Sequence, residues 1–295
     1  MNKAVFDLRE PTLRTPAGGV DERPIGRILV DLGKLRERDV ERAFALHRKK
    51  GLRFGEAACS LGLISPADVH QALSIQFNYP YVQRGQGTLS AELIAAHDPY
   101  HPQSEALREV RTHLLTHWLT PQRKVLAVVS AAPGDGRSYL AANLAVSFAQ
   151  LGEKTLLVDA DLRSPRQHRI FGLGGGPGLA RALAAGLGLG IAERIAYFDH
   201  LSVLTAGAAP PNPLELLSRG DLQRLLGEAR LQYAMVIVDT AAGSRGADAR
   251  LTAARADGAL MLACKDRTRL ADFDRLRGAV AAYGVPLVGA VLNGA

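Results

Sequence analysis

The chain is poor in cysteine and in aromatic residues. Its 295 residues include two cysteines, Cys59 and Cys264, and aromatic side chains make up 5% of the whole. The cysteines lie far apart, neither belongs to a CxxC pair, and no histidine stands beside them at ligand spacing. These facts argue against a disulfide framework and a cysteine-based metal or redox site, so we expect two reduced thiols that pack as small apolar side chains.

Long apolar runs are missing as well. The first 24 residues contain no apolar stretch of the kind that a signal peptide needs. The glycine-rich segment 172–198 comes nearest to a membrane span, but Arg181, Glu193 and Arg194 interrupt it. We therefore expect a cytoplasmic location.

Positive charge is present but dispersed. The formal net charge is +7, and the densest cluster is HRKKGLR at residues 47–53. Neither aromatic interleaving nor a recognition-helix pattern accompanies this charge, so we expect no nucleic-acid partner. A solvated helix end is the favoured interpretation of the cluster, and attraction to an anionic ligand is the second.

Composition and periodicity divide the chain into four parts. Residues 1–21 carry prolines and glycines with little periodicity, which predicts a disordered lead-in. Residues 22–82 read as a small helical domain, and residues 83–103 as a linker that has room for one short helix. Residues 104–295 read as a larger domain that begins with an amphipathic helix.

The small helical domain contains an internal repeat. Residues 24–47 align with residues 53–76 at a constant offset of 29. Each copy predicts a short helix, a glycine stop and a second helix, and SPADVHQAL places Ser65 at the N-cap of such a helix. Helix pairs of this kind pack on each other because neither buries its apolar face alone.

The larger domain alternates short apolar runs with helical segments. Runs such as KVLAVVSA, KTLLVDAD and YAMVIVDTAA have an uninterrupted apolar centre, as expected of strands that are buried on both faces. We therefore predict an α/β domain with a mainly parallel sheet covered by helices on both faces. Ligands bind at the carboxyl ends of the strands in such a sheet.

The segment SAAPGDGRSYL, residues 130–140, has the features of a phosphate-binding loop. It lies directly between a predicted strand and a predicted helix, the context that such a loop requires. Small residues let backbone N–H groups turn towards phosphate, and the helix N-terminus adds its dipole. Arg137 stands where the pattern has lysine, and the Ser138 hydroxyl would face a magnesium ion.

Carboxylates follow two of the apolar strands. Asp159 and Asp161 end one run, on the same side because strand side chains alternate, and Asp239 ends another. A single aspartate in such a place is most often a helix cap or a turn residue. Three strand ends that carry a loop, a DAD and a VDT indicate a site for phosphate and metal.

The motifs SAAPGDGRS, LLVDADLRSP and VIVDTAA resemble the three Walker-type motifs of bacterial tyrosine kinases, which are cytoplasmic partners of exopolysaccharide chain-length determinants. EALREVR and GAAPPNPLELL resemble two accessory motifs of that family. The resemblance covers roughly residues 104–295 and implies a P-loop NTPase fold. The related septum-site ATPases carry a further loop lysine where this chain has Ala132.

The resemblance implies ATP and Mg²⁺ as cofactors. Arg137, Asp159 and Asp161 would be catalytic, with Arg137 on the β- and γ-phosphates and one aspartate activating a tyrosine hydroxyl. Ser138, Asp159 and Asp239 would serve the metal. The nucleotide contacts implied are Pro133, Gly134, Asp135, Gly136, Arg137, Ser138, Tyr139 and Asn293.

The resemblance also implies partners. Glu105, Arg108 and Arg111 have the ExxRxxR spacing that the family uses for contacts between subunits, so we expect a ring or another oligomer. An intrahelical ion pair is the other interpretation of this spacing. A separate inner-membrane chain-length protein would hold the chain at the membrane, to which it would be peripheral.

The helical repeat resembles the N-terminal domain of type II secretion and pilus assembly ATPases, some of which bind cyclic di-GMP. Arg53, Gly55, Gly62 and Gln76 fit that pattern in the second copy. The first copy has Pro24 where the pattern has arginine. Cyclic di-GMP binding and plain docking both remain open interpretations of the repeat.

Three functions follow from these observations. The first is Mg·ATP-dependent tyrosine phosphorylation that regulates exopolysaccharide chain length or export. The second is a nucleotide-gated assembly module without kinase activity, which the arginine at position 137 and the scattered tyrosines leave open. The third is a second-messenger sensor that acts through the helical repeat.

Overall fold

The structure is a computed structural model that describes residues 21, 23–77, 79–82, 85 and 87–294. The predicted lead-in, residues 1–21, lies outside the described residues except for Asp21. The helices of the described part are α1 (Ile25–Asp31), α2 (Glu37–Lys50), α3 (Phe54–Ser60), α4 (Pro66–Gln76), α5 (Ile94–His97), α6 (Pro102–His117), α7 (Arg137–Gln150), α8 (Gln167–Ile170), α9 (Leu179–Ala185), α10 (Pro213–Ser218), α11 (Gly220–Gln232), α12 (Asp248–Ala253) and α13 (Leu270–Ala281). The strands are β1 (Val125–Ser130), β2 (Thr155–Asp159), β3 (Glu193–Arg194), β4 (Leu201–Leu204), β5 (Met235–Asp239), β6 (Gly258–Cys264) and β7 (Leu287–Asn293).

The helical repeat forms two helix pairs that pack crosswise. Helix α1 contacts α4, and α2 contacts α3, so each copy of the repeat completes the core of the other. Gly33 and Gly62 end the first helix of each copy with φ of +68° and +66°, a conformation that side chains with a Cβ rarely adopt. These two stops confirm the prediction made from the sequence.

The N-cap predicted at Ser65 is present as a capping box. The Ser65 hydroxyl accepts a hydrogen bond from the Asp68 N–H at 3.3 Å, and Asp68 Oδ2 accepts one from the Ser65 N–H at 2.9 Å. Helix α4 therefore begins with two of its end donors satisfied, next to Pro66 at its first position.

The segment predicted to be a linker packs deeply against the larger domain. Leu93 and the four residues of α5 are buried in the same core as helix α7. Asn143 Oδ1 accepts a hydrogen bond from the Ala95 N–H at 3.0 Å, and Gln150 Nε2 donates to the Ala95 carbonyl at 2.8 Å. The following helix begins at Pro102 with His101 as its cap, two residues before the expected Ser104.

The sheet has the strand order β3-β4-β2-β5-β1-β6-β7. All neighbouring strands are parallel except the two-residue edge strand β3, which pairs antiparallel with β4. This confirms the predicted parallel sheet, whereas β3 is too short to leave a sequence pattern. Every residue of β1, β2 and β5 is buried, as their uninterrupted apolar sequences require.

Helices cover both faces of the sheet. Leu126 and Val128 of β1 pack with α5, α6 and α7 on one face, and Ala127 and Val129 pack with α12 and α13 on the other. Helices α9 to α11 cover the second face over β2 and β4. The segment 210–231 holds two helices, α10 and α11, rather than one, because Arg219 between them is extended with ψ of 159°.

None of the helices in the described residues is long and apolar enough to cross a membrane.

Candidate functional site

The glycine loop lies at the carboxyl end of β1 and leads straight into α7. Gly134 and Gly136 have φ of +82° and +105°, values that strain any residue with a Cβ. A Cβ at Gly136 would lie 2.6 Å from the Asn293 amide nitrogen, so a side chain there has no room either. The loop thus has the backbone path that the sequence predicted for phosphate binding.

Asp135 holds the loop in shape. Its side chain is fully buried, its Oδ2 accepts a hydrogen bond from the Ala132 N–H at 2.8 Å, and its Oδ1 accepts one from the Thr268 hydroxyl at 3.0 Å. The sequence predicted a nucleotide contact at this position. The structure shows a carboxylate that turns away from the loop's open side and ties the loop to the turn after β6.

Arg137 is buried and bridges two strand ends. Its Nε donates to the Thr240 carbonyl at 2.9 Å, and its Nη1 donates to Ser130 Oγ at 2.5 Å and to the Ala132 carbonyl at 2.8 Å. Burial lowers the pKa of this guanidinium, and the carboxylates of Asp239 and Asp161 oppose that shift. Since Nε and Nη1 are occupied, Nη2 is the nitrogen left to reach a phosphate.

Asp159 and Asp239 lie side by side at the carboxyl ends of β2 and β5, where they are register partners. Both are fully buried. Asp159 Oδ2 accepts hydrogen bonds from the Arg166 and Gln167 N–H groups at 3.1 and 3.0 Å. Asp239 Oδ1 has no partner among the described residues, although it is buried.

Burial raises the pKa of Asp239 to about 6, while the hydrogen bond from Gln167 and the nearby Ser138 hydroxyl act in the opposite direction. Burial and the nearby charge of Asp239 raise the pKa of Asp159 as well. Two buried carboxyl groups this close repel each other when both are ionised. A cation between them would relieve that repulsion.

Asp161 differs from the other two carboxylates. Its Oδ1 accepts hydrogen bonds from the Arg163 and Ser164 N–H groups at 3.2 and 2.9 Å, which shapes the turn after β2. No hydrogen bond to its Oδ2 is found within the part of the chain that the structure describes. This oxygen is therefore available to a ligand.

Gln167, which the sequence reasoning missed, completes the carboxylate cluster. Its Nε2 donates to Asp239 Oδ2 at 2.8 Å and to the Ser138 carbonyl at 3.1 Å. Its Oε1 is buried without a partner in the described structure. Nothing in the motif DADLRSPRQ marks this residue as special, since its position depends on the short helix α8.

The side chains at the site supply too few ligands to hold a magnesium ion alone, but they fit one that is also bound by the phosphates of a nucleotide. The described residues hold no group of three or more histidine, cysteine or acidic side chains arranged for a metal. They do place two orphaned acceptors, Asp239 Oδ1 and Gln167 Oε1, beside the first turn of α7, which carries Ser138. Magnesium in proteins is commonly held in this way, by one or two carboxylates plus the substrate's phosphates.

A cavity of about 310 Å³ adjoins the loop on the side of α6 and β7. Gly136, Tyr139, Asn293 and apolar residues of α6 and β7 line it. The Asn293 amide donates to the Asp135 carbonyl at 3.1 Å, and the Tyr139 hydroxyl donates to Gln103 Oε1 at 3.3 Å. Pro133 and Gly134 are exposed at the rim of the loop.

The three residues predicted for subunit contacts share helix α6 but differ in environment. Arg108 and Glu105 form the intrahelical ion pair that was the other interpretation of their spacing. Arg111 is buried and its Nη1 donates to the Ser147 carbonyl at 2.7 Å, so it ties α6 to α7. Its Nε has no partner among the described residues.

The residues predicted for cyclic di-GMP have roles within the fold. A Cβ at Gly55 would lie 2.8 Å from a Val69 methyl group, so this glycine lets α3 and α4 approach. Gln76 Nε2 donates to the Arg23 carbonyl at 3.0 Å. Arg53 precedes α3, and its N–H donates to Glu56 at 2.9 Å, whereas Gly62 is the helix stop described above.

Fold and site together define a nucleotide-binding P-loop protein, and comparison with known proteins gives its family. The chain is 38% identical over 206 residues to tyrosine-protein kinase YwqD of Bacillus subtilis, a match that covers 70% of this chain and 87% of the relative. The chain belongs to the bacterial tyrosine-protein kinases. No protein-family model matches it.

Solved structures agree with this assignment. The kinase domain of the Escherichia coli tyrosine kinase ETK superposes with a TM-score of 0.67 at 29% identity, over 72% of this chain and 83% of that one. The chimerical protein CapA2B2 superposes with a TM-score of 0.64 at 31% identity, over 76% and 97%. The resemblance noted from the motifs is thereby confirmed, whereas that of the helical repeat to secretion ATPases stays a prediction.

Proposed function

We propose that the chain binds Mg·ATP at the glycine loop and transfers its γ-phosphate to a tyrosine hydroxyl. The observation that carries this proposal is the buried pair Asp159 and Asp239. The unpartnered oxygen of the pair, Asp239 Oδ1, lies beside the first turn of α7, which carries Ser138. A buried carboxylate without a partner is costly unless a ligand completes its coordination.

Each residue of the site has one task in this proposal. The loop N–H groups and the N-terminus of α7 hold the phosphates, and Arg137 Nη2 contacts the β- and γ-phosphates. Ser138 and Asp239 hold magnesium, which neutralises charge on the phosphates when bound. The cavity at Tyr139 and Asn293 takes the nucleoside.

The transfer itself exchanges one bond for another. The tyrosine oxygen bonds to the γ-phosphorus while the bond to the β–γ bridging oxygen breaks, and ADP leaves with that electron pair. The phenol proton passes to Asp161, whose Oδ2 is uncommitted. Asp159, which receives three backbone hydrogen bonds, keeps the cluster in place.

We infer the pathway and the partner from membership of the bacterial tyrosine-protein kinases. We propose that the chain regulates exopolysaccharide chain length or export and docks to a separate chain-length determinant in the inner membrane. The family motif at Glu105, Arg108 and Arg111 supports self-association as a second contact, with Arg108 as its most accessible cation because Arg111 is buried.

Labelled ATP tests the kinase. The wild-type chain with Mg·ATP should phosphorylate a Glu–Tyr copolymer or the membrane partner, and Arg137→Ala should lower nucleotide affinity by roughly tenfold or more. Arg137→Lys should keep nucleotide affinity because its charge remains. Measurable ATP binding without phosphotyrosine on either substrate would contradict the kinase.

That result would favour a nucleotide-gated assembly module instead. The specific observation behind this second function is the set of three hydrogen bonds from Arg137, which tie the loop at Ala132 to the ends of β1 and β5. If Arg137→Lys then gained transfer activity, the arginine would be the group that blocks transfer. A change of sedimentation rate with ATP would identify the module directly.

A further inference from the structure

Side chains of α4 and α6 line a common seam that gathers aromatic and cationic groups. The rings of His70 and Tyr100 lie 4.3 Å apart between centroids, at an angle of 34°. A cavity of about 240 Å³ opens beside them, and Tyr79 and Arg108 also line it. The seam thus joins the helical repeat to the helix that precedes the glycine loop.

Two tyrosines face one arginine in this seam. Burial raises the pKa of Tyr79 and of Tyr100, and the charge of Arg108 opposes the shift in both. Arg108 pairs with one carboxylate, that of the largely exposed Glu105, and its guanidinium also interacts with the Tyr79 hydroxyl. An exposed ion pair of this kind is worth at most about 1 kcal/mol, so a stronger anion can displace Glu105.

The two tyrosines differ in access. The Tyr79 hydroxyl donates to Gln150 Oε1 at 2.7 Å, and its ring is largely enclosed. Tyr100 is 54% exposed. A second protein molecule can therefore reach the Tyr100 hydroxyl without any rearrangement of the seam, whereas Tyr79 would first have to leave Gln150.

We propose that Tyr100 is a phosphoacceptor of this kinase and that Arg108 holds the phosphate. The inference rests on the proposed function, because a copy of this chain supplies the activity. The Tyr100 oxygen bonds to the γ-phosphorus of ATP, the bond to the β–γ bridging oxygen breaks, ADP leaves with the electron pair, and the phenol proton passes to Asp161 of the active copy.

The phosphate changes the charge balance of the seam. A phosphotyrosine carries a charge of about −1.5 to −2 and has three strong acceptor oxygens. It takes Arg108 from Glu105 through charge-assisted hydrogen bonds, and the cavity beside Tyr100 provides space for it. Because the His70 ring of α4 lies against the Tyr100 ring, a phosphate on Tyr100 that Arg108 holds would link α4 to α6.

The test uses the full chain with Mg·ATP and locates phosphate by mass spectrometry of its peptides. Phosphate is expected on Tyr100, and Tyr100→Phe should lower total autophosphorylation at least fivefold. Tyr283, which is 49% exposed at the end of α13, provides the matched control, and Tyr283→Phe should leave the total unchanged. A Glu–Tyr copolymer in the same reaction reports the kinase independently.

Absence of phosphate on Tyr100 overturns the inference. The copolymer then tells the two proposals apart, since its phosphorylation shows that the kinase stands and only the acceptor was wrong. The role of Arg108 has its own readout in the rate at which a general tyrosine phosphatase removes the Tyr100 phosphate. Arg108→Gln should raise this rate several-fold, and an equal rate in both proteins would refute the assignment of Arg108.

Discussion

The helical repeat and the edge of the sheet at the glycine loop differ in how completely their polar side chains are hydrogen-bonded. In the repeat, Ser65, Asp68 and Gln76 all have hydrogen-bond partners within the fold. At the loop, Asp239 and Gln167 each keep a buried oxygen without a partner. An unpaired buried acceptor costs about 1–3 kcal/mol, so these two oxygens support the ligand site that we propose at the loop.

The largest expected effect comes from removing a loop-edge carboxylate. Asp239→Asn should weaken Mg·ATP binding at least about 100-fold, because even indirect partners of a metal are worth 10- to 100-fold in affinity. Calorimetric titration measures this directly. Asp257→Asn, which breaks the ion pair with Arg230 far from the loop, should leave nucleotide affinity unchanged. Equal Mg·ATP affinity in the wild type and in Asp239→Asn would show that the unpartnered carboxylate at the loop does not mark the ligand site.

The pH dependence of stability sharpens the same contrast. The pKa of Asp239 is raised from 3.8 to about 6 in the folded chain, so the folded state binds more protons between these values than the unfolded state does. The stabilising contribution of the protonated form is present below pH 3.8 and is lost as pH rises through about 6.

Asp239→Asn should therefore stabilise the nucleotide-free protein at pH 7.5, by up to about 3 kcal/mol, and by about half as much at pH 5. Differential scanning calorimetry in EDTA measures the change. Asp257→Asn should destabilise the protein at both pH values, because Arg230 and two backbone N–H groups outweigh the effect of burial and hold the pKa of Asp257 below its usual value. A wild-type stability advantage over Asp239→Asn at pH 7.5 would contradict the assignment.

In the helical repeat the sensitive groups are glycines rather than carboxylates. Gly55→Ala should cost about 1–3 kcal/mol through overpacking against Val69 and leave nucleotide affinity unaltered. Gly227, inside α11, has open space around it, so Gly227→Ala should stabilise by about 0.5–1 kcal/mol. Chemical denaturation measures both, and a weaker Mg·ATP complex in Gly55→Ala would show that the two regions are not independent.

The smallest effect concerns the cap of α4. Ser65→Ala should cost about 1 kcal/mol, because the hydroxyl that accepts from Asp68 N–H is removed. Ser60→Ala, which removes a hydroxyl bonded to the Ala57 carbonyl at the end of α3, should change stability by less than about 0.5 kcal/mol. Urea unfolding compares the two, and equal losses would show that the capping box carries no special weight.

Local patterns were sufficient to predict most of the fold. The helix stops at Gly33 and Gly62, the cap at Ser65 and the parallel strands all follow from residues close together in sequence. The break at Arg219 and the edge strand β3 left no such pattern. The burial of the segment around Leu93 was missed because it depends on Asn143 and Gln150, which are about 50 residues away.

The site residues that belong to local motifs were also predictable from the sequence. The sequence placed Asp159 and Asp239 at the carboxyl ends of two strands, and the structure makes these strands neighbours and the two aspartates register partners. Its assignment of Asp135 to the nucleotide stays a prediction, and the Asp135 carboxylate accepts a hydrogen bond from Thr268, in the turn after β6. Gln167 reaches the cluster only through the turn of α8, so no spacing rule could have found it.

Two side-chain amides on the same face of α7, those of Asn143 and Gln150, form hydrogen bonds with the chain that connects the helical repeat to α6. Asn143 holds Glu92 and Ala95, and Gln150 holds Pro80 and Ala95. A graft of the helical repeat onto another kinase must therefore transplant residues 79–97 and both amides with it. A fragment that begins at residue 104 would lack Leu93 and α5, and it would expose the apolar surface that they cover. We expect such a fragment to aggregate even though it contains all of the catalytic motifs.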